Sequence, residues 1–192
     1  MAILPKNKPI GATTDIISSN KKAFISGSIN DDLNKNGYMQ ANLCVKDLKK
    51  KLNEIGYYKN DPIIYSSDAL RCLRLAFLIQ KEFKVDYDTQ ELSLLREINA
   101  GLFRNKKWGL KETKDIKYWL FNQFPDGESY SEVFIRAKHF ISEILQKNNN
   151  QIQIVVSHGG FIGSCLSIID GLDINDFPHY KIRNCEIILR SI

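Results

Sequence analysis

His158-Gly159-Gly160 follows the run at 152–156 after Ser157, which sets a histidine between a strand end and two glycines. An imidazole placed there can face a pocket, and the glycines let backbone approach a ligand closely. The helix that opens next offers free amide hydrogens and the positive end of its dipole, a setting suited to phosphate. A histidine that merely caps or packs is the plainer reading. A second group is Ser67-Asp68-Ala69-Leu70-Arg71. Arg71 stands one helical turn after Ser67, and its forked guanidinium can reach back over the strand end toward an anion. Most arginines one turn into a helix face solvent instead. In Leu95-Arg96-Glu97-Ile98-Asn99-Ala100-Gly101 a carboxyl sits among apolar residues, where it can serve as a general acid, although most such glutamates are simply exposed. Gly127-Glu128-Ser129 reads as a turn and a helix cap.

Strands alternating with helices must position these groups. Residues 1–37, rich in Asn, Ser, Lys and Gly, read as a long loop with little periodicity. The first helix follows Gly37, with Ala41, Cys44, Val45, Leu48, Leu52 and Ile55 as its apolar stripe and Gly56 as its stop. Ile63-Ile64-Tyr65 makes a short buried strand ending at Ser66-Ser67. A helix over about 68–83 carries Ala69, Cys72, Leu73, Ala76 and Ile79 on one face. From 85 to 126, Trp108, Tyr118, Trp119 and Phe121 suggest a partly helical excursion packed by aromatics. Ser129 with Glu132 forms a capping-box signal before the stripe Val133, Ala137, Phe140, Ile141 and Ile144. Residues 152–156 form a strand, the helix after His158 reaches about 169, and 185–189 reads as a final strand. This order predicts an α/β domain with a largely parallel sheet. Ligands of such sheets bind beyond the carboxyl ends of the strands, where both the Ser67 and the His158 groups fall.

The 192 residues suit one domain, and 43% hydrophobic with 26% charged residues argues against disorder. No apolar run approaches the roughly 20 residues of a membrane span, and the N-terminal apolar stretch is too short for a signal peptide, so a cytoplasmic location is expected. Cys44, Cys72, Cys165 and Cys185 are scattered without metal-like spacing and read as reduced, mostly buried thiols. The formal charge of +5 would help collect an anionic substrate. No nucleic-acid motif accompanies it, and Lys49-Lys50-Lys51 reads as a solvated helix face. Three well-separated histidines argue against a metal hydrolase. His158-Gly159-Gly160-Phe161-Ile162-Gly163 fails the dinucleotide pattern, whose first position is glycine.

Taken in order, the groups resemble the motifs of the histidine phosphatase (phosphoglycerate-mutase-like) superfamily. Leu33 through Ala41 resembles its L-T-x-x-G-x-x-Q-A helix entry, and Ser67 through Ala76 its S-x-L-x-R-x-x-x-T-A segment. Leu95 through Gly101 resembles L-x-E-x-x-x-G, Gly127-Glu128-Ser129 with Arg136 resembles G-E-S…R, and Val155 through Ile162 resembles V-V-S-H-G-G-x-I. Asn184 matches a common asparagine before the last strand. The resemblance implies one domain over 1–192, a three-layer α/β/α sandwich with a mostly parallel sheet. It implies that Arg71, His158, Gly159 and Gly11 bind the phosphoryl group, and that Glu97 protonates the leaving oxygen. The substrate it implies is a small phosphorylated molecule, with inorganic phosphate also a ligand. No metal or cofactor is implied, because arginine and histidine donors supply the charge.

The family's first strand ends in Arg-His-Gly, whose histidine is phosphorylated. Here the histidines are His139, His158 and His179, so none precedes residue 139. Lys8-Pro9-Ile10 resembles the start of that strand, and Gly11-Ala12-Thr13-Thr14 resembles the residues just after its histidine. A deletion between Ile10 and Gly11 would join them, leaving 1–32 irregular with a truncated first strand. Met1 to Leu4 could fill the gap, but Pro5 makes a long replacement strand awkward. Phe103-Arg104-Asn105 also departs from the family's aromatic-Glu-Gly. The expectation is a phosphomonoesterase severely impaired as the chain stands. The alternative is a noncatalytic phosphate-ligand-binding or interaction protein of the same fold. The chain length favours a phosphatase over a mutase.

Overall fold

β-Branched and aromatic residues at 63–65 and 154–156 build the centre of the sheet, where both faces are covered and continuous apolar runs are tolerated. The computed structural model describes residues 2–4, 12–13, 31–56, 62–104, 115–148, 151–176, 180 and 182–191. Its strands are β1 (Ala2–Leu4), β2 (Ala12–Thr13), β3 (Ile63–Ser66), β4 (Gln90–Glu91), β5 (Gln153–Ser157) and β6 (Leu189–Ser191). Four of them run in the order β2-β5-β3-β4, and β1 pairs with β6. Every pairing among them is parallel. The helices are α1 (Lys35–Glu54), α2 (Leu70–Phe83), α3 (Ile116–Phe121), α4 (Tyr130–Phe140) and α5 (Gly159–Ile169).

Alternation along the strands divides the core in two. Ile64, Ile154 and Val156 pack with α1 and α2, while Tyr65 and Val155 point to the opposite face with α4 and α5. The result is the expected three-layer α/β/α arrangement. Phe140 ties its layer together, edge-on to Tyr65 at 5.7 Å and to Phe161 of α5 at 5.9 Å. No helix among the described residues is long and apolar enough to cross a membrane. The four cysteines are free thiols, three of them buried, and burial pushes the Cys165 thiol up to about 12.

Several expectations are corrected. The reading of 1–37 as loop fails at β1, at β2 and at the start of α1. β1 also runs beside β5, and β2 pairs with its far end, Ala12 opposite Val156 and Thr13 opposite Ser157. Short segments of two and three residues carry no periodicity for a sequence reading to find. Gly11, the Ile10–Gly11 junction, Trp108 and His179 lie outside the described residues. The last strand falls at Leu189–Ser191 rather than 185–189, and Cys185 has a left-handed φ of 54°, which ends any extended run there. On α2, Leu75 is buried and Leu73 only half so. After α4 the chain widens into a π-helical turn, Ile141–Leu145, so Leu145 takes the buried position expected for Ile144. Gln153 of β5 donates to the Leu145 carbonyl at 2.8 Å, satisfying that backbone group inside the core. In the excursion, Trp119 stacks on Phe124 at 4.4 Å, but Tyr118 and Phe121 are exposed.

The capping box before α4 is present: Ser129 Oγ accepts from Glu132 N, and Glu132 Oε2 accepts from Ser129 N at 2.7 Å. Ser129→Ala should cost about 1 kcal/mol, measured as a lowered urea midpoint at unchanged slope. An unmoved midpoint would show that the packing of α4 alone sets its start.

Candidate functional site

Registration of two strands brings the site together. Ile63 to Ser66 of β3 lie opposite Gln153 to Val156 of β5, and the ladder continues one bond further, from Ser67 N to Val156 O at 2.9 Å. The two strands therefore end level, and each passes at once into a helix. Ala69 caps α2 and His158 caps α5, both with extended backbone. Arg71 in the first turn of α2 and His158 are driven inward, 2% and 0% exposed.

Arg71 Nη2 lies 3.1 Å from His158 Nδ1. Ser67 Oγ lies 3.0 Å from His158 Nε2, and Cys72 Sγ lies 3.5 Å from the same nitrogen. The floor of the site thus holds the Arg71 guanidinium and the His158 imidazole next to the start of α5, which Gly159 opens.

Glu97 approaches α5 from the other side. Its Oε2 accepts from Gly160 N at 3.1 Å and its Oε1 from Ile98 N at 2.9 Å, a carboxylate on a helix N-terminus. Gly160 is required for this contact, since a Cβ there would meet Glu97 Oε1 at 2.3 Å. The partly buried Tyr130 phenol is pushed up, first by burial and then by the Glu97 carboxylate. The loop carrying Glu97 is held by its carbonyls. Ser157 Oγ donates to Leu95 O at 2.6 Å, and Arg136 Nη1 donates to Leu94 O at 2.5 Å and Arg96 O at 3.2 Å. Arg136 is itself gripped by Glu128 through Nε at 3.0 Å and Nη2 at 3.1 Å, while Glu128 Oε2 accepts from Asn99 N at 2.9 Å. The Gly127-Glu128-Ser129 turn is therefore more than a cap, because its carboxylate orients the arginine that shapes the Glu97 loop.

The two halves are joined at the rim. Arg96 Nε donates to Asp68 Oδ1 at 2.7 Å, and a second contact runs from Arg96 Nη2 to Asp68 Oδ2. The Arg96 guanidinium holds the Asp68 carboxyl below the usual carboxylate range.

The structure brings Arg71 and His158 into contact and sets Glu97 and Gly159 at the same helix end. His139 is exposed on α4. Among the described residues, no group of three or more His, Cys, Asp or Glu side chains converges as a metal site. Sequence reasoning missed Ser67 and Cys72 as neighbours of His158. It also missed the Asp68–Arg96 pair, although each of its members adjoins a site residue in the chain. Such an array can hold an oxyanion by charge and hydrogen bonds, with a carboxyl close by to exchange a proton.

Asp68 has a depressed folded value, so its stabilisation is fully present above the unfolded value of about 3.9 and is lost as pH falls through the folded one. Asp68→Asn should therefore flatten the acid limb of the stability curve below about pH 4; an unchanged limb would mean the rim pair contributes nothing. Gly160→Ala should push the Glu97 carboxylate off α5, visible in a crystal structure of the variant. Glu97 staying in place would refute the close fit.

The profile of the histidine phosphatase superfamily (branch 1) matches residues 11–191. Two proteins of Hydrogenobacter thermophilus named as phosphoserine phosphatases are similar. One is 27% identical over 176 residues, covering 88% of this chain and 81% of that protein. The other is 25% identical over 165 residues, covering 82% and 74%. In fold the chain is similar to an Entamoeba histolytica phosphoserine phosphatase solved with phosphoserine, at TM-score 0.72 and 24% identity over 94% of this chain and 88% of that one. The chain belongs to branch 1 of the histidine phosphatase superfamily.

Proposed function

We propose that this chain is a phosphomonoesterase of its family, acting as one domain over 1–192, whose pocket holds the phosphoryl group of a small phosphorylated substrate. The observation that carries this reading is Arg71, 2% exposed, in contact with His158 at level strand ends. A guanidinium beside an imidazole at the start of a helix is a setting that suits a phosphate oxyanion. Arg71, His158 and the Gly159 amide bind phosphate, and Glu97 protonates the leaving oxygen; the resemblance also assigns phosphate to Gly11, which lies outside the described residues. The similarity to proteins named phosphoserine phosphatases favours a small phosphorylated metabolite such as phosphoserine as the substrate. A structure of the Entamoeba enzyme with 3-phosphoglyceric acid adds a second ligand of that size.

No histidine precedes His139, so the phosphohistidine route has no acceptor at the family's position. We therefore expect turnover lower by several orders of magnitude than in a relative with Arg-His. The same absence favours a second reading, a noncatalytic phosphate-ligand binder that keeps Arg71 and His158. Calorimetric titration with inorganic phosphate and an aryl-phosphate assay separate the two. Phosphate binding lost in Arg71→Ala, together with slow turnover lost in His158→Ala, supports the esterase. Binding without turnover supports the binder. No binding by the intact chain rejects both.

A further inference from the structure

Cys44 and Cys185 stand far apart in the chain and meet in the layer of α1. Cys44 belongs to the buried stripe of α1 with Ala41, Val45 and Leu48 and is 5% exposed. Cys185 packs against the cluster that holds Ala41, Val45 and Leu48, from the segment leading into β6, and is only partly covered. The two thiols are joined by a hydrogen bond. The turn that carries Cys185 is closed twice: Arg183 N donates to Glu186 Oε2 at 2.6 Å, and Glu186 N donates to Arg183 O at 3.2 Å. Within it Cys185 holds its left-handed φ of 54°, which a residue with a Cβ adopts seldom and at a cost. Positions of that kind cluster at functional sites.

The pair is unequal in a way that suits oxidation. Cys185 is the thiol that solvent reaches, and its hydrogen bond with Cys44 holds it below the ordinary thiol value. Cys44 is pushed up, first by that hydrogen bond and then by burial, so it keeps its proton. A thiolate is the nucleophile toward peroxide, and a second thiol beside it is placed to resolve the product. Among the described residues no cluster of three His, Cys, Asp or Glu side chains offers these thiols a metal instead. We propose that Cys44 and Cys185 form a peroxide-responsive dithiol, which closes to a disulfide tying the C-terminal segment to α1. The Cys185 thiolate attacks one oxygen of hydrogen peroxide and the O–O bond breaks. Hydroxide leaves, taking up from solvent the proton that Cys185 had released, and Cys185 becomes a sulfenic acid. The Cys44 sulfur then attacks the Cys185 sulfur, and its proton departs with the sulfenic hydroxyl as a second water. Two thiols and one peroxide thus give one disulfide and two waters.

The test uses the full chain, reduced, freed of reductant and treated with hydrogen peroxide while folded; no phosphate ligand or turnover enters it. The intact mass should fall by two hydrogens, and a non-reducing peptide map should join the Cys44 and Cys185 peptides. A dithiol reductant should reverse both changes. Because the bond closes a loop holding most of the chain, the oxidised protein should unfold at a higher urea midpoint than the reduced one. In Cys44→Ser, a dimedone trap for sulfenic acid should label Cys185, whereas in Cys185→Ser it should leave Cys44 unlabelled. Peroxide that leaves all four thiols of the unaltered protein free overturns the proposal without a variant, as does a cross-link from Cys185 to any other cysteine. Cys185 passing to sulfinic acid with no bond to Cys44 has the same meaning. A Cys44–Cys185 disulfide that lowers the urea midpoint overturns the tie to α1.

Discussion

The bond from Ser67 N to Val156 O closes the β3–β5 ladder one residue beyond β3, and the rest of the site depends on that closure. Because the two strands are parallel and end level, the helices after them start side by side. Arg71 and His158 are then carried to one place by backbone geometry. Parallel pairing supplies this arrangement at the carboxyl edge, where helix N-termini and loop amides converge and negative charge is favoured. A slip of one residue in the register would turn Ile64 and Ile154 away from α1 and α2 and part Ser67 from His158.

A second constraint acts on the Glu97 loop, which has almost no regular structure to hold it. Its carbonyls at Leu94, Leu95 and Arg96 are taken by Arg136 and Ser157, one from α4 and one from β5. The Arg136–Glu128 pair is partly buried, and such pairs add little stability on their own once desolvation is counted. Here the pair acts mainly on geometry: a planar fork with five donors links a carboxylate, two loop carbonyls and the face of Phe161 at 5.5 Å. Gly101 and Gly127 let the two loops meet backbone to backbone, since a Cβ on Gly101 would lie 1.9 Å from Pro125 O.

Beside β5, the chain places two short strands that the sequence reading took for loop. β2 meets β5 at Val156 and Ser157, next to His158. β3, β5, α2 and α5 bring Ser67, Arg71, Cys72 and His158 together. In the sequence no histidine precedes His139. Membership of the superfamily and the chemistry of this chain are thus separate matters, one decided by the whole fold and the other by a few positions.

The α/β order, the helix stripes, the capping box at Ser129 and the candidate residues Arg71, Glu97 and His158 were legible in the sequence. Each is a local signal: apolar spacing, a cap three residues from its partner, or a motif at a strand end. Leu145 in place of Ile144 and Leu75 in place of Leu73 were not legible, because a widened turn or a small helix rotation moves the buried face with no mark in the pattern. Nor were the partners of His158, since Ser67 and Cys72 are 91 and 86 residues away from it. Residue types and their spacing settle which groups can carry charge and protons, and which elements bear them. Which of those groups touch is settled in three dimensions, because contact across that separation depends on strand register and layer packing, to which each residue contributes only a part.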